Sequence, residues 1–152
     1  MIKILMICHG NICRSTMAEF VMKDLVNKRG IAKEFYIASA GTSREEIGSD
    51  THRGTKKKLN EMGIPYARRE AVQVTRADYN KYDYLICMDK SNVRNLERII
   101  GEDTQKKVSL LLGYAGGNRD IADPWYTGNF DETYRDVEEG CLALLKEIQN
   151  KS

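Results

Sequence analysis

One segment near the start of the chain concentrates residues whose types and spacing could carry out chemistry. Residues 8–15 read CHGNICRS, so an arginine stands six positions after Cys8 and a serine follows it. A thiolate is a nucleophile, and a guanidinium binds two phosphoryl oxygens with its planar fork. Ser15 could in addition donate a hydrogen bond to the sulfur. The spacing therefore predicts attack of Cys8 on a phosphate group that Arg14 holds.

The same segment connects a predicted strand to a predicted helix. A short loop that enters a helix directs successive backbone N–H groups toward one point, where the helix dipole also favours an anion. Gly10 and Asn11 are residue types that tolerate the left-handed backbone of a tight cradle. The candidate phosphate-binding residues are His9, Gly10, Asn11, Ile12, Cys13, Arg14 and Ser15.

Strands and helices alternate along the rest of the chain. Residues 2–7 are almost continuously apolar and β-branched, which is typical of a strand buried on both faces of a parallel sheet. The alternation predicts a three-layer α/β/α fold with a four-stranded parallel sheet and the phosphate-binding loop between strand 1 and helix 1. Further strands are predicted at 35–40, 84–88 and 108–112, and helices at 15–29, 51–62, 91–100 and along an apolar stripe at 137–148.

Two segments lack any periodicity and are predicted as loops. Residues 41–50 and 113–130 both follow the carboxyl ends of strands, where open α/β sheets bind their ligands. Phosphate transfer to sulfur leaves an anion that an acid must protonate, and the second loop contains Asp123. Because Asp-Pro is also a common turn dipeptide, residue logic alone leaves Asp123 open between a general acid and a turn residue.

Composition narrows the class of protein. The chain has 152 residues, of which 41% are hydrophobic. Its 24 basic and 22 acidic side chains give a formal net charge of +2. These values predict one folded domain over residues 1–152 and give no reason to expect a nucleic-acid partner. The apolar runs at 4–8 and 84–88 are too short for a membrane helix, and no signal peptide is recognisable, so we expect a cytoplasmic protein.

The cysteines agree with that compartment. They stand at 8, 13, 87 and 141, without the paired spacing of a zinc site or the density of a disulfide framework. We therefore expect free thiols and no metal ion or other cofactor.

Four segments, taken in order, resemble the low-molecular-weight protein tyrosine phosphatase family: residues 8–15, SAGT at 39–42, CMDKSN at 87–92 and DPWY at 123–126. The resemblance spans nearly the whole chain and implies metal-free hydrolysis of phosphotyrosine in protein substrates through a cysteinyl-phosphate. It implies that Cys8 is the nucleophile, that Arg14 binds phosphate and that Asp123 is the general acid.

The resemblance also implies roles for residues outside the loop. Trp125 and Tyr126 would form the walls of the substrate pocket. Ser39, with Ser15 and Asn11, would hold the phosphate loop in its strained shape, and Asp89 would be a further supporting residue behind the site. Residue types alone leave Trp125 open as a core residue, Ser39 as a strand-end turn residue and Asp89 as a helix cap.

The chain departs from the family pattern at several positions. Thr16 stands where proline is common and predicts a capping box with Glu19. An aromatic residue common in the loop after strand 2 is replaced by SREE at 43–46, and the usual histidine and arginine before the A-x-Q-like stretch are replaced at 69–73.

Other functions compete with tyrosine phosphatase. A protein-arginine phosphatase would keep the chemistry, but family members that act on phosphoarginine resemble one another in carrying threonine where this chain has Ile12. An arsenate reductase needs two further cysteines close together, and a phosphotyrosine-binding module without activity would have lost Cys8 or Asp123. The sequence predicts no particular oligomeric state.

Overall fold

Four strands form one parallel sheet in the computed structural model, which describes residues 1–151. They are β1 (Ile2–Cys8), β2 (Phe35–Gly41), β3 (Tyr84–Cys87) and β4 (Val108–Leu110), in the spatial order β2-β1-β3-β4. The most apolar strand, β1, therefore lies between two neighbours, as its uninterrupted hydrophobic run predicts. The predicted four-stranded parallel sheet is confirmed.

Helices cover both faces of this sheet. Side chains alternate along β1, so Ile4 and Met6 pack toward α1 and α6, whereas Leu5 and Ile7 pack toward α3 and α4. This arrangement confirms the predicted three-layer α/β/α architecture. The helices are α1 (Arg14–Lys28), α2 (Arg53–Glu61), α3 (Asp78–Lys81), α4 (Lys90–Ile100), α5 (Pro124–Thr127) and α6 (Phe130–Lys151), with 3-10 turns at Ala32–Glu34 and Leu111–Ala115.

The sheet order fixes where a ligand can bind. Chain connections leave β1 and β3 toward opposite sides, and the crevice beyond their carboxyl ends is the usual binding place in open α/β sheets. The CHGNICRS loop begins at the end of β1, and residues 88–89 follow the end of β3.

The last strand is shorter than the predicted range of 108–112. β4 pairs with β3 only as far as Leu110, and the chain then turns into the 3-10 segment. Leu111 and Leu112 are apolar because they are buried in the core that includes α6, so their hydrophobicity does not mark a continued strand.

The segment predicted as the loop 113–130 contains more regular structure than expected. Pro124 starts the short helix α5, and α6 begins at Phe130, earlier than its apolar stripe. The side chain of Asn129 accepts a hydrogen bond from the Glu132 N–H at 3.0 Å and caps α6. This N-x-x-E pattern was the available sequence signal for the true start of the helix.

In the part of the chain described, 1–151, no helix is both long and apolar enough to cross a membrane.

The packing of α6 gives a stability prediction. Leu145 is 0% exposed in the core, whereas Leu142, three residues earlier on the same helix, is 39% exposed. We expect Leu145→Ala to lower the free energy of unfolding by about 2–5 kcal/mol, because it leaves a cavity, and Leu142→Ala by less than about 1 kcal/mol. Urea titrations of both variants test this. Similar losses in the two would contradict the assigned orientation of α6.

Candidate active site

The loop between β1 and α1 curls so that its carbonyl groups face its neighbours. Asn11 takes a left-handed backbone with φ of 57°, as anticipated for this position. Residues just after β2, just before α2 and within α1 donate hydrogen bonds to these carbonyl oxygens. The contacts are Thr42 N to Cys8 O at 2.9 Å, Ser43 N to His9 O at 3.0 Å, His52 N to Ile12 O at 2.8 Å, and Thr16 Oγ1 to Ile12 O and Cys13 O at 3.0 Å each.

The backbone N–H groups of the loop are left for a ligand. No acceptor within residues 1–151 takes a hydrogen bond from the N–H of Gly10, Asn11, Ile12 or Cys13. These groups lead directly into the first turn of α1, whose N–H groups are also unpaired within the helix. A set of converging donors at a helix N-terminus is an anion-binding site.

The side chain of Asn11 holds the loop from behind. It is 0% exposed, and all of its hydrogen-bonding positions are used. Its Nδ2 donates to Ser15 Oγ and to Ser39 Oγ, both at 2.9 Å. Its Oδ1 accepts from the Arg69 guanidinium and from Val72 N at 3.1 Å. The buried amide is therefore fully satisfied, as a buried polar group must be to avoid a large desolvation cost.

This network reaches the nucleophile candidate. Cys8 Sγ lies 3.0 Å from Ser15 Oγ. Because Ser15 accepts from Asn11, its own proton is available to the sulfur, and it can donate to Cys8 when that residue is a thiolate. On the other branch Ser39 donates to Glu19 Oε1 at 2.6 Å, and Glu19 also pairs with Lys23. The network thus runs from Lys23 and Glu19 through Ser39, Asn11 and Ser15 to the sulfur atom of Cys8.

The end of β2 approaches the loop so closely that only glycine fits there. A Cβ at Gly41 would lie 2.7 Å from the carbonyl oxygen of His9 and 3.2 Å from Asn11. The glycine of the SAGT segment thus lets β2 support the loop through backbone contacts.

Arg14 points into the site although it is 3% exposed. Its NH1 donates to Asp89 Oδ2 at 2.7 Å and to the carbonyl of Ile121 at 2.8 Å, and its NH2 lies 3.5 Å from Asp123 Oδ2. Burial alone would lower the pKa of Arg14, but Cys8 and the two carboxylates raise it above its usual value. The guanidinium is therefore a fixed positive charge beneath the loop.

Asp89 serves both as a helix cap and as a partner of Arg14. Its Oδ1 accepts from Asn92 N at 2.7 Å and completes a capping box at the start of α4, while Oδ2 receives Arg14. Asp89 thus caps α4 through one carboxylate oxygen and contacts Arg14 through the other.

Asp123 lines the same pocket as Cys8, and 24% of its side chain is exposed. Its Oδ1 accepts from Trp125 N at 3.0 Å and caps α5, as a turn residue does. Trp125 and Tyr126 line the same pocket and are 59% and 83% exposed, which excludes core packing for Trp125. The pocket thus has aromatic side chains on one wall.

The opposite wall comes from the loop after β2 and carries carboxylates. Glu45 and Glu46 line the pocket together with His9, whose Nε2 lies 2.8 Å from Glu45 Oε2. Ile12 is a further lining residue and gives the wall an apolar patch.

The remaining thiols do not compete with Cys8. Burial raises the pKa of Cys13 to about 12, with Cys8 and Asp123 adding to the effect, and burial likewise raises the pKa of Cys87 and Cys141. All four cysteines are free. Among residues 1–151, His, Cys, Asp and Glu side chains form no group of three or more that could hold a metal ion.

Around the loop, one prediction is wrong and one contact was not predicted. The capping box of Thr16 and Glu19 is wrong, because α1 already begins at Arg14 and Thr16 donates to loop carbonyls while Glu19 binds Ser39. Arg69 was not predicted as a loop partner. Its only sequence signal was the departure from the family pattern at that position.

Arg69 provides a test of how the loop keeps its shape. Burial lowers the pKa of its guanidinium, and Glu19, Asp50 and Cys8 partly offset this, so it stays charged. Arg69→Gln removes one donor from the buried Asn11 oxygen, and a lost partner of this kind costs about 1 kcal/mol. We expect tungstate, a phosphate-like oxyanion, to bind about fivefold more weakly by calorimetry.

The exposed neighbour Arg68 is a matched control, because Arg68→Gln removes the same charge without touching Asn11. Unchanged affinity in Arg69→Gln, or an equal loss in Arg68→Gln, would contradict the role of Arg69.

Comparisons with known proteins agree with this geometry. Residues 3–152 match the profile of the family described as low molecular weight phosphotyrosine protein phosphatase. The chain is 38% identical to the low molecular weight protein-tyrosine-phosphatase YfkJ of Bacillus subtilis, over 99% of this chain and 98% of that protein.

Solved structures give the same result. The crystal structure of YfkJ superposes with a TM-score of 0.95, covering 100% of this chain and 97% of that one. The phosphatase SP-PTP of Streptococcus pyogenes is 39% identical with a TM-score of 0.87, over 97% and 93% of the two chains. The Drosophila arginine phosphatase DARP is 29% identical with a TM-score of 0.88, over 97% and 98%. The chain belongs to the low molecular weight phosphotyrosine protein phosphatase family.

Proposed function

We propose that this chain hydrolyses phosphotyrosine in protein substrates through a cysteinyl-phosphate intermediate. The observation that carries the proposal is the position of Cys8 at a loop whose N–H groups have no acceptor within residues 1–151, with Arg14 beneath it and Asp123 in the same pocket. The names of its relatives as tyrosine phosphatases support the same substrate class.

In the first step the Cys8 thiolate attacks phosphorus. An S–P bond forms, the bond from phosphorus to the phenolic oxygen breaks, and the electron pair leaves with that oxygen. Asp123, acting as the protonated acid, transfers its proton to the oxygen, so that a neutral phenol leaves. The position of Asp123 in the same pocket as Cys8 supports this role.

In the second step water completes the turnover. Asp123, now a carboxylate, takes a proton from a water molecule that attacks phosphorus. The S–P bond breaks, inorganic phosphate is released, and the thiolate of Cys8 is restored. Ser15 then stabilises the leaving sulfur with its hydrogen bond.

Arg14 stabilises the charge that develops on the transferred group. Because its NH1 is occupied by Asp89 and Ile121, the donors left for phosphoryl oxygens are on NH2 and Nε. The planar fork binds two oxygens at once, and the loop N–H groups, including those of His9, Gly10, Asn11, Ile12, Cys13 and Ser15, bind the remainder.

Trp125 and Tyr126 support an aryl substrate. Their exposed rings offer faces on which the phenyl ring of phosphotyrosine can stack, and the ring is long enough to bring phosphate to the buried loop. Phosphoserine, with a shorter side chain, leaves its phosphate short of Cys8.

The alternative functions find less support. Arsenate reduction needs two further mobile cysteines, whereas Cys87 and Cys141 are both 0% exposed in β3 and α6. A binding module without activity has no use for both Cys8 and Asp123. One observation favours an arginine phosphatase, the similarity to DARP.

Free thiols at all four cysteines support a reducing compartment such as the cytoplasm.

Substitution of the nucleophile tests the proposal. We expect Cys8→Ser to abolish hydrolysis of phosphotyrosine peptides and of 4-nitrophenyl phosphate without added metal, while tungstate still binds to the loop and Arg14. Phosphate release and calorimetry measure the two effects. Cys141→Ala, which changes a thiol far from the pocket, serves as the control and retains turnover. Continued hydrolysis by Cys8→Ser would mean that another group is the nucleophile.

Ile12 gives a prediction about the choice between phosphotyrosine and phosphoarginine. A branched apolar side chain offers no hydrogen bond to a guanidinium, and an unpaired polar group in the pocket costs about 1–3 kcal/mol. We expect kcat/KM to be higher for a phosphotyrosine peptide than for the matched phosphoarginine peptide, and Ile12→Thr to shift the ratio toward phosphoarginine. A wild-type preference for phosphoarginine would favour the alternative function.

A further inference from the structure

His52 connects the phosphate loop to the loop that carries Asp123. Its backbone N–H donates to the carbonyl of Ile12 at 2.8 Å, which attaches the start of α2 to the phosphate loop. Its ring Nδ1 accepts from Gly54 N at 3.0 Å and caps α2. This hydrogen bond holds the ring in one orientation.

Both sides of this fixed ring contact the segment that follows Asp123. The ring stacks on Phe130 with centroids 5.5 Å apart and an interplanar angle of 16°, and it meets Trp125 in an edge arrangement at 5.7 Å and 77°. These distances lie within the range in which aromatic pairs attract. A Cβ at Gly54 would lie 2.3 Å from the Phe130 ring, so the start of α2 is in direct contact with the start of α6.

Trp125 in turn holds Asp123. The Trp125 N–H donates to Asp123 Oδ1 at 3.0 Å, which leaves Oδ2 directed toward Arg14 at 3.5 Å. Trp125 thus contacts His52 through its ring and Asp123 through its backbone N–H, which links the His52 ring to the segment that orients the carboxyl group. The backbone bond from His52 to Ile12 is independent of its side chain.

We propose that the His52 ring is a positioning residue for the general acid, setting the distance of the Asp123 loop from the phosphate loop through Trp125 and Phe130. The inference rests on the proposed role of Asp123 and adds a residue that touches neither the substrate phosphate nor Cys8. It separates two functions of one residue: the main chain of His52 supports the nucleophile loop, and the ring supports the acid.

Two substitutions separate the ring from the cap. His52→Asn keeps an acceptor for Gly54 N, because asparagine is a good N-cap, but removes the aromatic ring. His52→Phe keeps a ring between Trp125 and Phe130 but removes the cap. Both variants keep the backbone donor to Ile12. Asp123→Asn provides the reference for complete loss of the acid.

The readout is kcat/KM for a series of aryl phosphates whose phenols range from good to poor leaving groups. Only poor leaving groups need protonation as the bond breaks, so Asp123→Asn should lose most activity with them. We expect His52→Asn to lose about tenfold with phenyl phosphate and less than about twofold with the most activated ester, since small misplacement of a reacting group is costly. His52→Phe should stay within about twofold of wild type across the series, with a lower Tm. Tungstate affinity should be unchanged in both.

Three results would overturn the inference. The first is an equal loss for all leaving groups in His52→Asn, and the second is no loss at all. The third is a loss in His52→Phe as large as in His52→Asn. If Asp123→Asn itself shows no dependence on the leaving group, the proposed acid is wrong and the role of His52 is overturned with it. Phe130→Leu, which removes the stacked ring on the other side, should repeat the His52→Asn pattern.

Discussion

The outward orientation of the carbonyl groups in the phosphate loop is the constraint on which the rest of the site depends. A short loop can direct its N–H groups toward one point only if the opposite ends of the same peptide units have partners elsewhere. Thr42, Ser43, His52 and Thr16 supply those partners from β2, α2 and α1. Each of these elements therefore contributes to anion binding without contacting the anion.

The site combines a deeply buried part with a more exposed part. Cys8 and Arg14 come from β1 and the first turn of α1, and both are buried in the core of the protein. Asp123 comes from a segment anchored on both sides of it, by the bidentate pair of Arg119 with Asp136, by the bonds of Ile121 with Met88 and Arg14, and by α5. A buried Cys8 and a more exposed Asp123 suit the proposed reaction, in which the substrate must enter between them.

Local patterns in the sequence predicted much of this structure. The CHGNICRS segment, the alternation of strands and helices, and the loop after β2 depend on neighbours along the chain, and they are found where expected. Leu111 and Leu112 misled the prediction of β4, because burial against a helix and burial within a sheet require the same apolar residues.

Contacts between distant residues could not be predicted from one sequence. Arg69 binds Asn11 across 58 positions, and the carboxylate of Glu19 binds Ser39 across 20. The helical spacing of Glu19 from Thr16 suggested a local capping box instead. Nothing in the residue types alone distinguishes a buried arginine from the exposed one beside it, since only the folded backbone brings Arg69 to Asn11.

The fully bonded amide of Asn11 has an energetic consequence for ligand binding. Because both of its N–H groups and both acceptor positions of its oxygen are engaged inside the protein, the strained backbone at this residue is held before any anion arrives. The conformational entropy of the loop is thus lost during folding, and it is not lost again at each encounter with substrate. Binding free energy that a flexible loop would spend on ordering itself is left for the oxyanion, including the more highly charged one that forms as the phosphoryl group is transferred.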